Sequence, residues 1–395
     1  LPAVSPATLL SEMSCDSAFD EYEFRDGLGA PIPPFCPRYS PWAGENHLLA
    51  IADEEGWVSI IDTEKGAKEQ PGECRPRPAS PVGSHGKRCR HRWSRQRMCH
   101  MCLDAALTAC PVSAADKRPG SWRAHHNAIF DFCWSPCKGR LITAAGDQSV
   151  RMWDMERAAS AAWRASGGGP EAGELMICRG HKGSVKSVAA RPNDNFVFAS
   201  GGRDGCVHIY DARQGEEPVM ILRGAHTPTE GSSKRKRAGA LAGKASHGVT
   251  SVIYLMDERN ALATAGGTDG TIKLWDARLG GAARGSGRST RQGNNGPRQS
   301  ASTPLCTLHP DRGAERNHGI TSLALDGTGG RLLASSTDSK ILCYDTVRPD
   351  RGEIARFGGH QVHTFYVKAR FSPDGRFVVS GSSDCNVYIW EVDRP

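Results

Sequence analysis

The chain has 395 residues, 14 cysteines, and 50 Lys+Arg against 43 Asp+Glu, a formal net charge of +7. That length supports one large domain or two ordinary ones, and no apolar run approaches the roughly 18 residues that a bilayer-spanning helix requires. The positive charge is local: residues 75–97 hold eight Lys/Arg and no acid, and Lys234-Arg235-Lys236-Arg237 adds four. Without those twelve the chain is mildly acidic, which excludes a whole surface built to grip nucleic acid. The cysteines are scattered through a chain far larger than small disulfide frameworks, a pattern that favours free thiols and a reducing compartment. The sequence begins Leu-Pro-Ala and ends Glu-Val-Asp-Arg-Pro, so it is expected to be a fragment, and the lack of a targeting signal carries no information.

In chain order, residues 1–46 read as an N-terminal arm, partly disordered. A first, weak unit follows at 54–62, EEGWVSIID, with Glu55 at a turn and Ile61 where later units carry an aromatic ring. Residues 67–121 form a long basic insertion. Beyond it, an Asp followed six positions later by Trp or Tyr recurs at Asp147/Trp153, Asp204/Tyr210, Asp269/Trp275, Asp338/Tyr344 and Asp384/Trp390. Upstream of most copies stands a histidine and an alternating apolar stretch, as in HKGSVKSVAA, HGITSLALD and HQVHTFYVKARFSP, so each unit reads as several short strands with turns between them. Residues 227–246 and 280–303 are further insertions. The second of these, rich in Gly, Ser and Arg, has too little apolar surface to fold.

Units spaced roughly 45–70 residues apart in this pattern are the signature of a β-propeller built from four-stranded blades, because one blade cannot bury both faces and a closed ring can. The sequence resembles the WD-repeat family over about residues 47–395. The expected fold is all-β: a WD-repeat β-propeller with six recognisable blades and disordered inter-blade insertions. Rings of this family usually have seven blades. The intact protein is therefore expected to have a seventh, either beyond Pro395 or drawn partly from residues 1–46.

His181, Ser187 and Asp204 have the composition of a hydrolase triad. A catalytic set is needed once, however, whereas these residues have counterparts in other blades. In WD-repeat proteins such residues hydrogen-bond to one another and to the Trp, so the resemblance makes His181, Ser187, Asp147, Asp204, Asp269, Asp338 and Asp384 fold residues. Aspartate suits the turn because its carboxylate accepts neighbouring N–H groups. No catalytic residue, cofactor or small-molecule substrate is expected.

Function must then sit on sites added to the platform. Trp275-Asp276-Ala277-Arg278 closes a strand with a guanidinium that the blade does not need, and Tyr210-Asp211-Ala212-Arg213 repeats the arrangement one blade earlier. Arginine at a strand end can serve solubility alone. Two adjacent copies resemble the WDxR signature by which substrate receptors of cullin-4 RING ubiquitin ligases dock on their adaptor, the large subunit of the damaged-DNA-binding protein. A rigid guanidinium fork suits that task, since it can make two charge-assisted bonds to one acceptor. Trp153-Asp154-Met155-Glu156-Arg157 carries its arginine one place late, Tyr344-Asp345-Thr346-Val347 carries none, and Tyr210 stands where Trp is usual.

The stretches GAPIPPFCPRYSPWAGENHLLAIADEEGWVSIID (29–62), WRAHHNAIFDFCWSP (122–136), TAAGDQSVRMWD (143–154), GGRDGCVHIYDAR (201–213) and GGHQVHTFYVKARFSPDGRFVVSGSSD (358–384), in this order, resemble the denticleless family. The resemblance implies a nuclear, non-catalytic substrate receptor of a cullin-4 ubiquitin ligase coupled to DNA replication. Substrates of that family, such as the replication licensing factor, carry a degron completed when a short motif binds the sliding clamp PCNA. The receptor would contribute proximity while ubiquitin transfer occurs elsewhere. Such a degron carries a basic residue, with which an acidic propeller body is compatible. Membrane contact is not expected, and DNA contact is expected to be indirect or weak. The competing reading is a WD-repeat scaffold or histone-binding protein with no ligase link.

Lys234-Arg235-Lys236-Arg237 reads either as a solvated charge run or as a nuclear localisation signal. Cys99 and Cys102 have CxxC spacing near Cys89, His91 and Cys110, but no second CxxC or HxxxH accompanies them and arginines crowd the stretch. A disordered basic insertion is favoured over zinc there.

Overall fold

A computed structural model describes residues 34–63, 120–159, 173–226, 248–256, 261–278, 298–300, 303–310, 318–384 and 386–393. Alternating apolar and polar residues make short strands, and turn residues fold them into successive antiparallel meanders. Blade I comprises β1 (Pro34–Tyr39), β2 (Leu48–Asp53), β3 (Trp57–Asp62) and β4 (Ser121–Arg123). Blade II comprises β5 (Ile129–Trp134), β6 (Arg140–Ala145), β7 (Val150–Asp154) and β8 (Glu174–Cys178), with a short helix α1 (Met155–Ala159) after β7. Blade III comprises β9 (Val185–Ala190), β10 (Val197–Gly202), β11 (Val207–Asp211) and β12 (Met220–Leu222). Blade IV begins with β13 (Val249–Tyr254), β14 (Ala261–Gly266) and β15 (Ile272–Asp276). The chain then leaves to pair β16 (Arg298–Ser300) in parallel with β12, before β17 (Cys306–Leu308) completes the blade. Blade V comprises β18 (Ile320–Leu325), β19 (Arg331–Ser336), β20 (Lys340–Asp345) and β21 (Glu353–Gly358). Blade VI has three described strands, β22 (Ala369–Phe371), β23 (Phe377–Gly381) and β24 (Val387–Glu391).

Three boundaries differ from the sequence reading. Pro34–Tyr39, expected within the N-terminal arm, is the first strand of blade I; its two prolines hid it, and an inner edge strand tolerates them. Ser121, expected in the insertion, opens β4, a strand of three residues whose only apolar anchor is Trp122, too short for a periodic signal. Arg298–Ser300, expected in the flexible stretch 280–303, is β16.

The apolar cores lie between blades. One cluster joins Trp122 and Ala52 of blade I to Phe132, Leu141 and Trp153 of blade II, and four more join II to III, III to IV, IV to V and V to VI. Among the described residues no such cluster joins blade VI to blade I. There the contact is aromatic, Tyr366 stacking on Phe35 with centroids 5.0 Å apart, and Lys368 Nζ reaches past blade I to Asp131 of blade II at 3.3 Å.

The first strands of successive blades stand side by side around the centre. β1, β5, β9, β13 and β18 share one irregularity: the register against the second strand shifts between their first and third residues, a bulge that displaces Phe35, Phe130, Lys186, Thr250 and Thr321 from the ladder. The residue after the bulge then accepts an N–H from the next blade: Asp131 from Val188 (3.1 Å), Ser187 from Val252 (3.1 Å), Ser251 from Leu323 (3.1 Å) and Ser322 from Ala369 (3.4 Å). Asp131 is the most heavily used of these acceptors. It also receives Ser187 Oγ (2.9 Å) and the Arg38 guanidinium (2.6 Å), and although burial opposes ionisation, Lys368 and Arg38 hold its carboxyl well below the usual range.

Asp131→Ala is expected to leave the Arg38 guanidinium largely buried without its partner. Unfolding in urea should show a loss of about 3–5 kcal/mol, the cost of breaking a buried ion pair from one side. A loss within experimental error of an exposed control substitution would remove Asp131 from this role.

Candidate functional site

The strand register gives the ring two distinct ends. The turns after the second strand of each blade, which carry Asp147, Asp204 and Asp269, stand beside the starts of β5, β9 and β13. The segments that follow the third strand, which carry Arg213 and Arg278, lie at the opposite end, where Asp211 pairs with Val197 and Asp276 with Ala261.

At the first end the histidines and aspartates form repeated relays. In blade II, His125 bonds Asp147 (2.9 Å) and Thr143 (2.7 Å), and Trp153 Nε1 donates to the same Thr143 hydroxyl (3.0 Å). Blade IV repeats this with His226, Asp269, Thr264 and Trp275. An imidazole protonated on Nδ1 and neutral on Nε2 satisfies the whole chain of bonds. Blade III places His181 between Asp204 (3.1 Å) and Ser200 (2.8 Å). The serine of this set is therefore Ser200, not Ser187, because Ser187 lies beyond the bulge on the inner strand and faces Asp131 and Val252 instead. Such sets demand close approach: a Cβ on Gly266 would lie 1.9 Å from Asp269 Oδ1, and one on Gly202 would lie 2.5 Å from His181 Nδ1.

The last two blades depart from the pattern. Asp338 pairs with Lys340, and Asp384 accepts Asn386 N (3.0 Å) and Tyr388 Oη (2.8 Å). His360 is buried with both ring nitrogens unbonded among the described residues, while Trp390 Nε1 donates to Gly358 O. Among the described residues one group has metal-ligating composition, His181, Asp204 and His208. The two rings lie 3.9 Å apart and 12° from parallel, so their in-plane lone pairs run side by side rather than converging, and both His181 nitrogens are already bonded. The arrangement is that of a packed pair.

At the opposite end, both arginines fold back on the aspartate two residues earlier. Arg213 donates through Nε and Nη2 to the two oxygens of Asp211 (2.8 and 2.7 Å) while Asp211 Oδ1 also takes the Arg213 backbone N–H. Arg278 grips Asp276 in the same way, through Nε (2.8 Å) and Nη2. The aspartate thus fixes one edge of each guanidinium and leaves the other edge outward; the two side chains are 53% and 62% exposed. Arg157, one place late in sequence, lies on α1 and meets Asp154 at 3.7 Å through a different spacing. In blade V, Asp345 accepts the backbone N–H of Val347 and Arg348.

Sequence reasoning missed the link between the two docking candidates. Arg191, at the end of blade III's first strand, donates to Ala277 O of blade IV at 2.7 Å and lies 3.8 Å from Asp194, whose carboxylate is 3.9 Å from Arg213. Arg191 is buried and sits over the Tyr254 ring. The segments bearing Arg213 and Arg278 are therefore tied into one surface. Between blades IV and V a cavity of about 360 Å³ opens, lined by Leu255, Ala261, Leu274, Leu305 and Val347 together with Thr328 and Thr346. Ala261 is the register partner of Asp276, so the apolar hollow adjoins the arginine row. Lys234, Arg235, Lys236, Arg237, Cys99 and Cys102 lie outside the described residues.

The WD domain, G-beta repeat family matches residues 117–154, 173–211, 238–276 and 352–391. Over 98% of its length the chain is 32% identical to the denticleless protein homologs of Gallus gallus and Homo sapiens, and over 92% it is 29% identical to the protein lethal(2)denticleless of Drosophila melanogaster. The chain belongs to the denticleless family of WD-repeat proteins. It spans about half the length of the curated relatives it matches, 45% of the Gallus gallus protein. A chain in a crystal structure of the mitotic checkpoint complex shares the fold, with a TM-score of 0.53 at 16% identity over 92% of this chain and 79% of that one.

Two outcomes follow from these contacts. Burial would raise the carboxyls of Asp204 and Asp269, but bonds from His181, His226 and the turn N–H groups outweigh it and hold both at about 2, while burial lowers His125 and His226 below the usual histidine value. All are depressed in the fold, so between folded and unfolded values the unfolded chain binds more protons. Stability to urea is expected to be full above about pH 6.5, to fall first as the unfolded histidines protonate, and to fall again from about pH 4 towards 2. A flat profile between pH 7 and 3 would contradict the relays. Arg191→Met, which keeps the stem but removes the bond to Ala277, should broaden the NMR resonances of the Arg278 segment while the melt stays cooperative.

Proposed function

We propose that the chain is the substrate-receptor propeller of a cullin-4 RING ubiquitin ligase, docking on the ligase adaptor, the large subunit of the damaged-DNA-binding protein, through Arg213 and Arg278. The observation that carries this reading is the matched geometry of the two arginines: each is clamped by its own aspartate (Asp211 or Asp276), presents a free edge, and is joined to the other through Arg191. Solubility would require none of this. A guanidinium held in place before contact loses little freedom when it binds an acceptor, which favours recognition over an untethered surface charge. Trp275, buried behind Asp276 and bonded to Thr264, fixes the strand end that bears the arginine. The neighbouring apolar hollow supplies the desolvated contact that a stable interface needs beside its charged bonds.

On this reading the protein has no chemistry of its own. It works in the nucleus, brings PCNA-bound degron substrates such as the replication licensing factor to the ligase, and raises their effective concentration near the ubiquitin-conjugating enzyme. Membership of the denticleless family and the WD-repeat propeller plan support that assignment.

Adaptor capture by the wild-type chain is expected, with Arg213→Glu and Arg278→Glu each weakening it about tenfold or more, given about 1.5–3 kcal/mol for a hydrogen bond to a charged group. The double variant should lose it, and each variant must show a cooperative melt near that of wild type. Failure of the wild-type chain to bind the adaptor would leave the scaffold reading in its place.

A further inference from the structure

The stretch His363–Phe371, HTFYVKARF, marks the family resemblance but takes no part in the arginine surface. It lies at the other end of the ring, where the bulge residues of blades I to III gather. Phe35, Phe130 and Tyr366 stack as three nearly parallel rings, with centroids 5.0 to 6.0 Å apart and planes within 10°. The Lys186 ammonium covers Phe130 at 3.2 Å from its centroid and stands 5.8 Å from Tyr366. Phe365 and Tyr366 are 45% and 48% exposed beside them.

Cations dominate this mouth. Lys368 donates to Asp131 and to Phe130 O, Arg38 grips the same carboxylate, and Arg370 stands exposed on β22, its pKa lowered to about 10 chiefly by the like charge of Arg38. Arg203 adds charge near Lys186, whose own pKa burial lowers to about 8, so that it remains cationic at neutral pH. Lys186, Arg203 and Arg370 form no ion pair within the described residues. Asp131 accepts from Arg38, Lys368, Ser187 and Val188 and lies in the field of Arg370, and Asp147, Asp204 and Asp269 accept from their histidines, so the hydrogen-bonding capacity of these carboxylates is engaged.

We propose that this cationic, aromatic mouth, formed by Lys186, Arg370, Phe130, Phe365 and Tyr366, seats an acidic polypeptide segment that carries an exposed aromatic or apolar side chain. Unpaired cations in a partly desolvated setting favour carboxylates, and the exposed Phe365 and Tyr366 give an adjoining side chain an apolar seat. A nucleic acid fits less well. Single strands need free aromatic faces for base stacking and a cationic track along the backbone, whereas here the faces of Phe35 and Phe130 are taken by one another, by Tyr366 and by Lys186. The assignment rests on the receptor reading only for the biological origin of the segment.

The test is fluorescence anisotropy on the full chain with labelled dodecapeptide probes. One contains Glu, Ser and Gly around a single Phe; a second replaces Glu by Lys; a third replaces Phe by Ala; unlabelled oligothymidylate serves as competitor. The acidic Phe probe is expected to bind, to weaken with added salt, and to bind more tightly than the other two. Lys186→Glu and Phe365→Ala should each weaken it about tenfold, because both contacts are partly desolvated, and Lys186→Arg should restore most of the affinity. Arg278→Glu should leave peptide binding unchanged, just as Lys186→Glu should leave adaptor capture unchanged, so failure of one surface is distinguishable from failure of the other. If Lys186→Glu does not fold, Phe365→Ala, at an exposed position, carries the same test. Equal binding of the Lys probe, displacement by oligothymidylate at equal charge concentration, or indifference to both substitutions in folded protein would overturn the proposal.

Discussion

The ring depends on a hydrogen bond that passes from blade to blade at its centre. An inner strand has one edge with no ladder partner, and a propeller multiplies that exposed edge by the number of its blades. Here the bulges of β5, β9, β13 and β18 turn an acceptor towards the next strand, so that Asp131, Ser187, Ser251 and Ser322 take the N–H groups of Val188, Val252, Leu323 and Ala369. Each link contributes about 1 kcal/mol by itself. Its larger effect is on geometry, because it fixes where the apolar face of one blade meets the next. The series stops at blade VI for a chemical reason. The residue before Ala369 is Lys368, a donor where an acceptor is needed, and the residue after Cys36 in blade I is Pro37, which has no N–H to offer. Blade VI therefore meets blade I through stacked rings and reaches past it, through Lys368, to Asp131 of blade II, without an apolar cluster shared with blade I among the described residues.

The same bulges decide what the mouth of the ring is made of. A residue squeezed out of the ladder no longer packs between blades, so its identity is free to vary: Phe35 and Phe130 in two blades, Lys186 in the third, Thr250 and Thr321 in the next two. The threonines satisfy themselves locally, Thr250 on Ile320 O and Thr321 on Val367 O, whereas Lys186 finds only an aromatic face. The bulge residues of blades IV and V are thus held by hydrogen bonds, and those of blades I to III by ring stacking and a cation on a ring face.

How much of this was legible in the sequence follows from repetition. Asp147, Asp204 and Asp269, with their aromatic partners, stood out because each occurs at one offset in several blades, and the fold class came with them. Arg213 and Arg278 were legible for the same reason. Asp131 and Arg191 were not, because their roles lie in contacts between blades, which no spacing along the chain encodes; Ser200 was passed over for Ser187, for want of the bulge that turns Ser187 away from the relay. Blade I was half hidden, since Pro34–Tyr39 reads as a proline-rich arm and Ser121–Arg123 is too short to show alternation. Net charge misled in another way. The body is mildly acidic on average, yet the inner strands bring Lys186, Lys368, Arg38 and Arg370 together around Asp131 at the ring's centre.

That last difference bears on mechanism. An acidic body was compatible with reading a basic residue of a degron, but compatibility of bulk charge is weak when Lys368, Arg38 and Arg370 gather around Asp131 at the ring's centre. On the receptor reading, recognition and docking then occupy opposite ends of one rigid body, with Arg191 stiffening one end and the Asp131 network the other. A receptor that works by proximity needs that separation, since the recruited chain must reach past the propeller towards the ligase without competing for the adaptor's seat.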